Sequence, residues 1–178
     1  MAHPAQMNFI RSLSMSFPDH FKGRKVLEIG SLDINGSVRA FFKDCDYLGL
    51  DVAPGKGVDL VCEGQNFEGP DASFDVTISC ECFEHNPEWI ATFKNMIRLT
   101  RSRGLVIMTC ATTGRPEHGT TRTTPQDSPL TVGKGWDYYK NLKVSDFEEA
   151  FFLEEYFSNY SFSVNTAAND LYFWGLRA

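Results

Sequence analysis

Lys25-Val26-Leu27-Glu28-Ile29-Gly30-Ser31-Leu32-Asp33-Ile34-Asn35-Gly36-Ser37 is the stretch whose reading decides the fold. An apolar run, a strand over 25–30, ends in an acid and a glycine-bearing turn. The pattern then predicts a helix from about 36 to 44 that buries Val38, Phe41 and Phe42. Tyr47-Leu48-Gly49-Leu50-Asp51 supplies a second strand over 46–51, closing on a carboxylate 23 positions after Glu28. Strand, glycine turn, helix and acid-tipped strand build a pocket for a nucleoside. Glycine lets backbone approach a ligand closely, and a carboxylate at a strand's carboxyl end can accept two hydrogen bonds from a ribose diol.

The turn argues against a dinucleotide. A pyrophosphate wants Gly-x-Gly-x-x-Gly at a helix N-terminus, whereas here Leu32 stands where the second glycine would be and Glu28 and Asp33 add negative charge. Carboxylates repel phosphate and suit a cation. A ligand with a ribose, an ammonium group and no phosphate is S-adenosylmethionine (SAM). At these residues the chain resembles the class I SAM-dependent methyltransferases of the type 11 kind, keeping Glu28, Gly30 and, after a longer gap, Gly36 of their first motif.

Pro70-Asp71-Ala72-Ser73-Phe74-Asp75-Val76-Thr77-Ile78-Ser79-Cys80-Glu81-Cys82-Phe83-Glu84-His85 is similar to that family's fourth strand and the loop after it. Glu63-Gly64 lies twelve positions before Asp75, where the family places an acid for the adenine amino group and a backbone N–H for a ring nitrogen. The resemblance covers roughly residues 24 to 111. It implies a Rossmann-like, doubly wound α/β sheet of seven strands, mostly parallel with an antiparallel C-terminal hairpin. It also implies cofactor contacts from Glu28, Gly30, Ser31, Asp33, Gly36, Asp51, Val52, Glu63, Gly64, Cys80 and Glu81. Asp33 has a second reading as a cap of the turn.

The remaining elements follow from local pattern. A helix over 5–16 carries Phe9, Ile10 and Leu13, and Pro18 stops it. A short strand is expected at Val58–Val61 and another at 75–80. Asn86-Pro87 reads as a helix start, with Trp89, Ile90, Phe93, Met96 and Ile97 on the apolar face and Arg101-Ser102-Arg103-Gly104 as the end. Leu105–Cys110 is a fifth strand. Residues 112–143, rich in Thr, Gly and Pro, are too long for an ordinary connection and read as a lid-like insertion anchored by Trp136, Tyr138 and Tyr139. Ser145-x-x-Glu148 reads as a capping box for a helix bearing Phe147, Phe151 and Phe157. Two final strands flank an Ala167-Ala168-Asn169-Asp170 turn.

Composition bounds the function. The 178 residues fit one domain, and 42% hydrophobic residues with 15 Phe supply an ample core. A net charge of −6 without a Lys/Arg block makes nucleic acid an unexpected partner. No apolar run reaches the ~18 residues of a membrane span, and the N-terminus carries no signal-peptide pattern. Five cysteines, an odd count, fit a reduced cytoplasmic protein. Cys80-x-Cys82 is too closely spaced for a zinc pair, so no metal is expected.

Methyl transfer is an in-line displacement in which positioning carries much of the rate. A base is needed only for an acceptor that must lose a proton. His85 and His118 are the candidates. Against these roles, His85 can be a structural hydrogen-bonding histidine and His118 a solvent-exposed loop residue. The expected function is transfer of a methyl group from SAM to a small-molecule or sugar-like acceptor held under 112–143. A protein or RNA methyltransferase and a non-catalytic SAM-binding protein are the alternatives, and a nicotinamide oxidoreductase is disfavoured by the missing glycines. The sequence sets neither acceptor nor oligomeric state.

Overall fold

The computed structural model describes residues 2–178. Its seven strands are β1 (Lys25–Ile29), β2 (Asp46–Asp51), β3 (Leu60–Val61), β4 (Phe74–Cys80), β5 (Thr100–Ala111), β6 (Phe157–Asn165) and β7 (Asp170–Arg177), joined in one sheet of order β3-β2-β1-β4-β5-β7-β6. The first five run parallel, and β7 pairs antiparallel with both β5 and β6. The helices are α1 (Pro4–Ser16), α2 (Trp89–Leu99), α3 (Pro129–Lys134), α4 (Val144–Ala150) and α5 (Leu153–Tyr156). This is the expected doubly wound sheet with an antiparallel C-terminal hairpin.

Strand alternation sends successive side chains to opposite faces, and each face has its own core. Val26, Val76, Ile78, Leu105 and Ile107 pack with Ile10 and Leu13 of α1. Leu27, Ile29, Val106, Met108 and Phe173 pack with α2 and α4. Phe93 of α2 centres this second core: it is fully buried, and the rings of Phe151, Phe147 and Phe173 lie 5.1, 5.3 and 5.4 Å from it. Ile90, expected on the same face, is 47% exposed; the buried stripe of α2 runs through Trp89, Thr92, Phe93, Met96 and Leu99.

Several boundaries depart from the sequence pattern. In place of a helix over 36–44 there is one 3-10 turn, Val38–Phe41. Arg39 is drawn out to Asp59 and stacks 4.5 Å over the Tyr47 ring, while Phe42 stacks on Phe21 at 4.5 Å. The strand expected at Val58–Val61 shrinks to Leu60–Val61. Asn86 is not the helix cap. Its Oδ1 accepts from the Glu88 N–H at 2.8 Å and its Nδ2 donates to Thr92, a turn that delays α2 to Trp89. Arg101 to Gly104 do not end a helix but open β5 through a register shift against β4, with Arg101 paired to Asp75 at 2.7 Å. Lys143, not Ser145, caps α4, and Asp146 accepts the Lys143 N–H at 2.7 Å. Phe157 belongs to β6 because the chain turns extended at Phe151 (φ −141°), which brings both rings against Phe93.

Residues 112–143 leave the sheet after β5 and return beside it. The Leu142 N–H donates to Ala111 O at 3.0 Å and the Thr112 hydroxyl donates to Leu142 O at 2.5 Å, so the excursion is stitched shut at its base. Among the described residues no helix is long and apolar enough to cross a membrane.

Candidate functional site

The carboxyl ends of β1, β2 and β4 open into a cleft. Glu28, Gly30, Ser31 and Leu32 line it from β1 and its turn, Asp51 from β2, and Cys80, Glu81, Cys82 and His85 from the end of β4. A second, smaller cavity shares Gly30, Asp51 and Cys82 with it and adds Val52, Cys62, Gly64 and Gln65.

Asp51 organises the turn. Its two carboxylate oxygens accept the Leu32 N–H at 3.0 Å and the Val52 N–H at 2.8 Å, and each oxygen keeps a further lone pair. Burial raises its pKa, against the two backbone donors. Gly30 takes φ +80°, and a Cβ there would stand 2.6 Å from the Cys82 Cβ. Its glycine is thus required where the β1 turn crosses the loop after β4, a contact within the protein as well as an approach to ligand space. Glu28 is buried, accepts the Tyr47 hydroxyl at 3.0 Å, and is pushed by burial to a pKa of about 7. Ser31 is buried with its hydroxyl unpartnered, and Gly36 lines the outer wall.

Three expected residues stand outside both cavity walls. Asp33 accepts the Gly36 N–H at 2.8 Å and pairs with Lys56 at 2.8 Å, so it caps the turn. Glu63 is held by Gln65, Asn66 and, at 2.5 Å, Lys134. That leaves Gly64 and Gln65 on the cavity side. His118 is half-buried, not a free loop residue, and its ring lies 5.0 Å edge-to-face from His85.

The loop after β4 holds unusual polar groups. Glu81 sits at φ +52°, accepts the Thr109 hydroxyl at 3.0 Å and faces His3 at 3.6 Å. His3 is nearer Asp170, at 3.1 Å, and hydrogen bonding to Asp170 and then Glu81 lifts it to a pKa of about 9. Glu84 is fully buried with both oxygens unpartnered, and burial, with Glu81 nearby, raises its pKa to about 8. His85 is 2% exposed, both ring nitrogens lack partners, and burial lowers its pKa to about 3.

Other wall residues come from elements outside the motif. Gln6 of α1 and Ala2 just before that helix line the cleft, as do Asp127, Ser128, Pro129, Leu130 and Thr131 from the 112–143 excursion. Thr131 and Trp136 line the smaller cavity. Gln6 was legible: it lies four and seven positions before Ile10 and Leu13, on the buried stripe of α1. The excursion residues carry no comparable pattern.

Residues 28–108 match the sequence model of the family described as "Methyltransferase domain". Over this stretch, somewhat less than half of the chain, the sequence is that of a methyltransferase domain. No curated protein sequence matches it significantly. Among solved structures, this methyltransferase domain is similar to the Burkholderia thailandensis 1,6-didemethyltoxoflavin-N1-methyltransferase, solved with 1,6-didemethyltoxoflavin and S-adenosylhomocysteine. The identity is 12%, over 98% of this chain and 79% of that one, with a TM-score of 0.66. It is also similar to the Haemonchus contortus phosphoethanolamine N-methyltransferase 2 in complex with SAM, at 14% identity over 96% of this chain and 52% of that one, TM-score 0.63. The YcgJ protein of Bacillus subtilis shares the fold at 10% identity over 96% and 98% of the two chains, TM-score 0.62. At these identities the likeness speaks for the fold. The wall of the cleft fits SAM: spare lone pairs on Asp51, an unpartnered buried Ser31 hydroxyl and the Glu28 carboxyl all border it.

Proposed function

We propose that the chain methylates a small-molecule acceptor seated between the end of β4 and residues 112–143, which act as a lid. The observation that carries this reading is the roof over the cleft: Asp127–Thr131 on one side, Ala2 and Gln6 on the other. A site walled from the side opposite the sheet suits a ligand that can be enclosed better than a folded macromolecule. The net charge of −6 supports the same choice.

When bound, SAM supplies an electrophilic methyl group on a sulfonium. Asp51 would accept the ribose hydroxyls, Gly64 would offer its backbone to the adenine, and Glu28 would face the cationic end while ordering the turn. The lid would exclude water and orient the acceptor, and positioning of this kind accounts for much of the rate of a displacement at carbon. The five free thiols support the expected reducing, cytoplasmic setting. Incubation with methyl-tritiated SAM and fractionated metabolite extracts tests the reading. Label should enter a low-molecular-weight fraction; incorporation only into protein or RNA would reject the small-molecule acceptor.

A further inference from the structure

We propose that Glu84, His85 and His118 form a site for one divalent transition-metal ion, with an open coordination position on the cleft side. A 3-10 turn, Phe83–His85, follows β4 and carries Glu84 and His85 into the interior. Neither Glu84 oxygen and neither His85 nitrogen has a hydrogen-bond partner. Buried charged and polar groups are normally paired or ligate metals, because leaving them bare costs several kcal/mol. His118 arrives from the other side, on the lid. Its Nδ1–H donates to the Pro116 carbonyl at 3.1 Å, which leaves the Nε2 lone pair free, and Nε2 is buried without a partner. One ligand atom from each of the three residues lies within 4.8 Å of the other two.

The donor set selects the class of ion. Two imidazole nitrogens and one carboxylate suit Zn2+ and Fe2+, whereas Mg2+ and Ca2+ prefer oxygen shells. Three protein ligands with a fourth position open characterise reactive zinc sites rather than structural ones. The Pro116 carbonyl supplies the outer-shell hydrogen bond that fixes a ligating histidine's tautomer. Gly119, at φ +64°, makes the meeting possible, since a Cβ there would stand 2.6 Å from His85 Cε1. Of the three ligands only His85 lines the cleft, so the open position faces the acceptor. That last role rests on the methyl-transfer reading; metal binding itself does not.

The test uses the full chain, stripped with chelator, dialysed and titrated with Zn2+, with Co2+ and, as control, with Mg2+. One equivalent of Zn2+ should bind and Mg2+ should not. His118→Ala should weaken Zn2+ binding by at least about tenfold. His118→Cys should restore it and add a thiolate-to-cobalt charge-transfer band absent from the parent, a signature that a purely structural histidine would not give. SAM affinity is measured on the same samples. SAM binding with less than about a tenth of an equivalent of Zn2+, or equal Zn2+ affinity in His118→Ala and parent, overturns the metal site and leaves the methyltransferase reading standing. Stoichiometric Zn2+ binding with no methyl transfer to any acceptor pool supports the site and removes only its proposed role.

Discussion

The Tyr47 hydroxyl donates to the Glu28 carboxylate at 3.0 Å, beneath the turn that borders the cofactor cleft. The pair is sealed from water, and burial rather than the tyrosine dominates: Glu28 is raised to a pKa of about 7. A buried acid of this kind holds its proton where the unfolded chain has already lost it.

Stability should therefore fall as pH rises from about 4.5, the unfolded value, to about 7, and level off above that. The loss attributable to Glu28 is on the order of 3 kcal/mol. Urea unfolding of the parent and Glu28→Gln at several pH values isolates it: the difference between the two should change across this window. A constant difference would show that Glu28 does not titrate there. A cationic ligand favours the ionised form, so SAM binding near pH 6 should release a proton, which calorimetry in buffers of different ionisation enthalpy detects.

Asp51→Ala should weaken SAM binding by about 1.5–3 kcal/mol, the scale of hydrogen bonds to a charged group. The fold should persist, although the Leu32 and Val52 amides lose their acceptor. Unchanged affinity would remove Asp51 from the ribose site.

Phe93→Ala should destabilise the protein by about 3–5 kcal/mol, since the ring is fully buried and its removal leaves a cavity among five other aromatic side chains. Denaturant melts read this directly. A loss below about 1 kcal/mol would mean that the core collapses around the gap.

Lys134 ties α3 to Glu63 at 2.5 Å, next in sequence to Gly64 and Gln65 of the smaller cavity. Lys134→Ala should speed amide exchange over 127–136 and leave β1 and β4 protected. S-adenosylhomocysteine should restore part of the protection. Because both side chains are partly exposed, the effect should stay below about 1 kcal/mol. Exchange identical to the parent would show that the pair does not hold the lid.

The sheet and the cofactor wall were legible because their signals are local: apolar runs ending in Glu28, Asp51 and Cys80 state both strand and site. What escaped the pattern was settled by partners distant in sequence. Arg39 follows Asp59 out of a helix, and Asn86 answers to Thr92 instead of starting α2. Glu84 sat in plain view beside His85, but an acid reads as solvent-facing until the structure shows both oxygens buried and bare. His118 reads with His85 as a candidate base, but nothing in the spacing of 85 and 118 reveals that Gly119 brings the two rings together.

The stitching of Ala111 and Thr112 to Leu142 gives the excursion a narrow neck. Between its two ends Arg115 pairs with Asp170 of β7 at 2.7 Å and the Lys140 N–H donates to Glu84 O at 2.9 Å, while the exposed outer part is free to change length, each doubling of a closed loop costing only about 0.6 kcal/mol. The 112–142 segment is thus a cassette only in part. Its exposed outer part can be lengthened or shortened at little entropic cost, whereas Thr131 and Trp136, which line the smaller cavity, and Arg115 and Lys134, which hold Asp170 and Glu63, must keep their places.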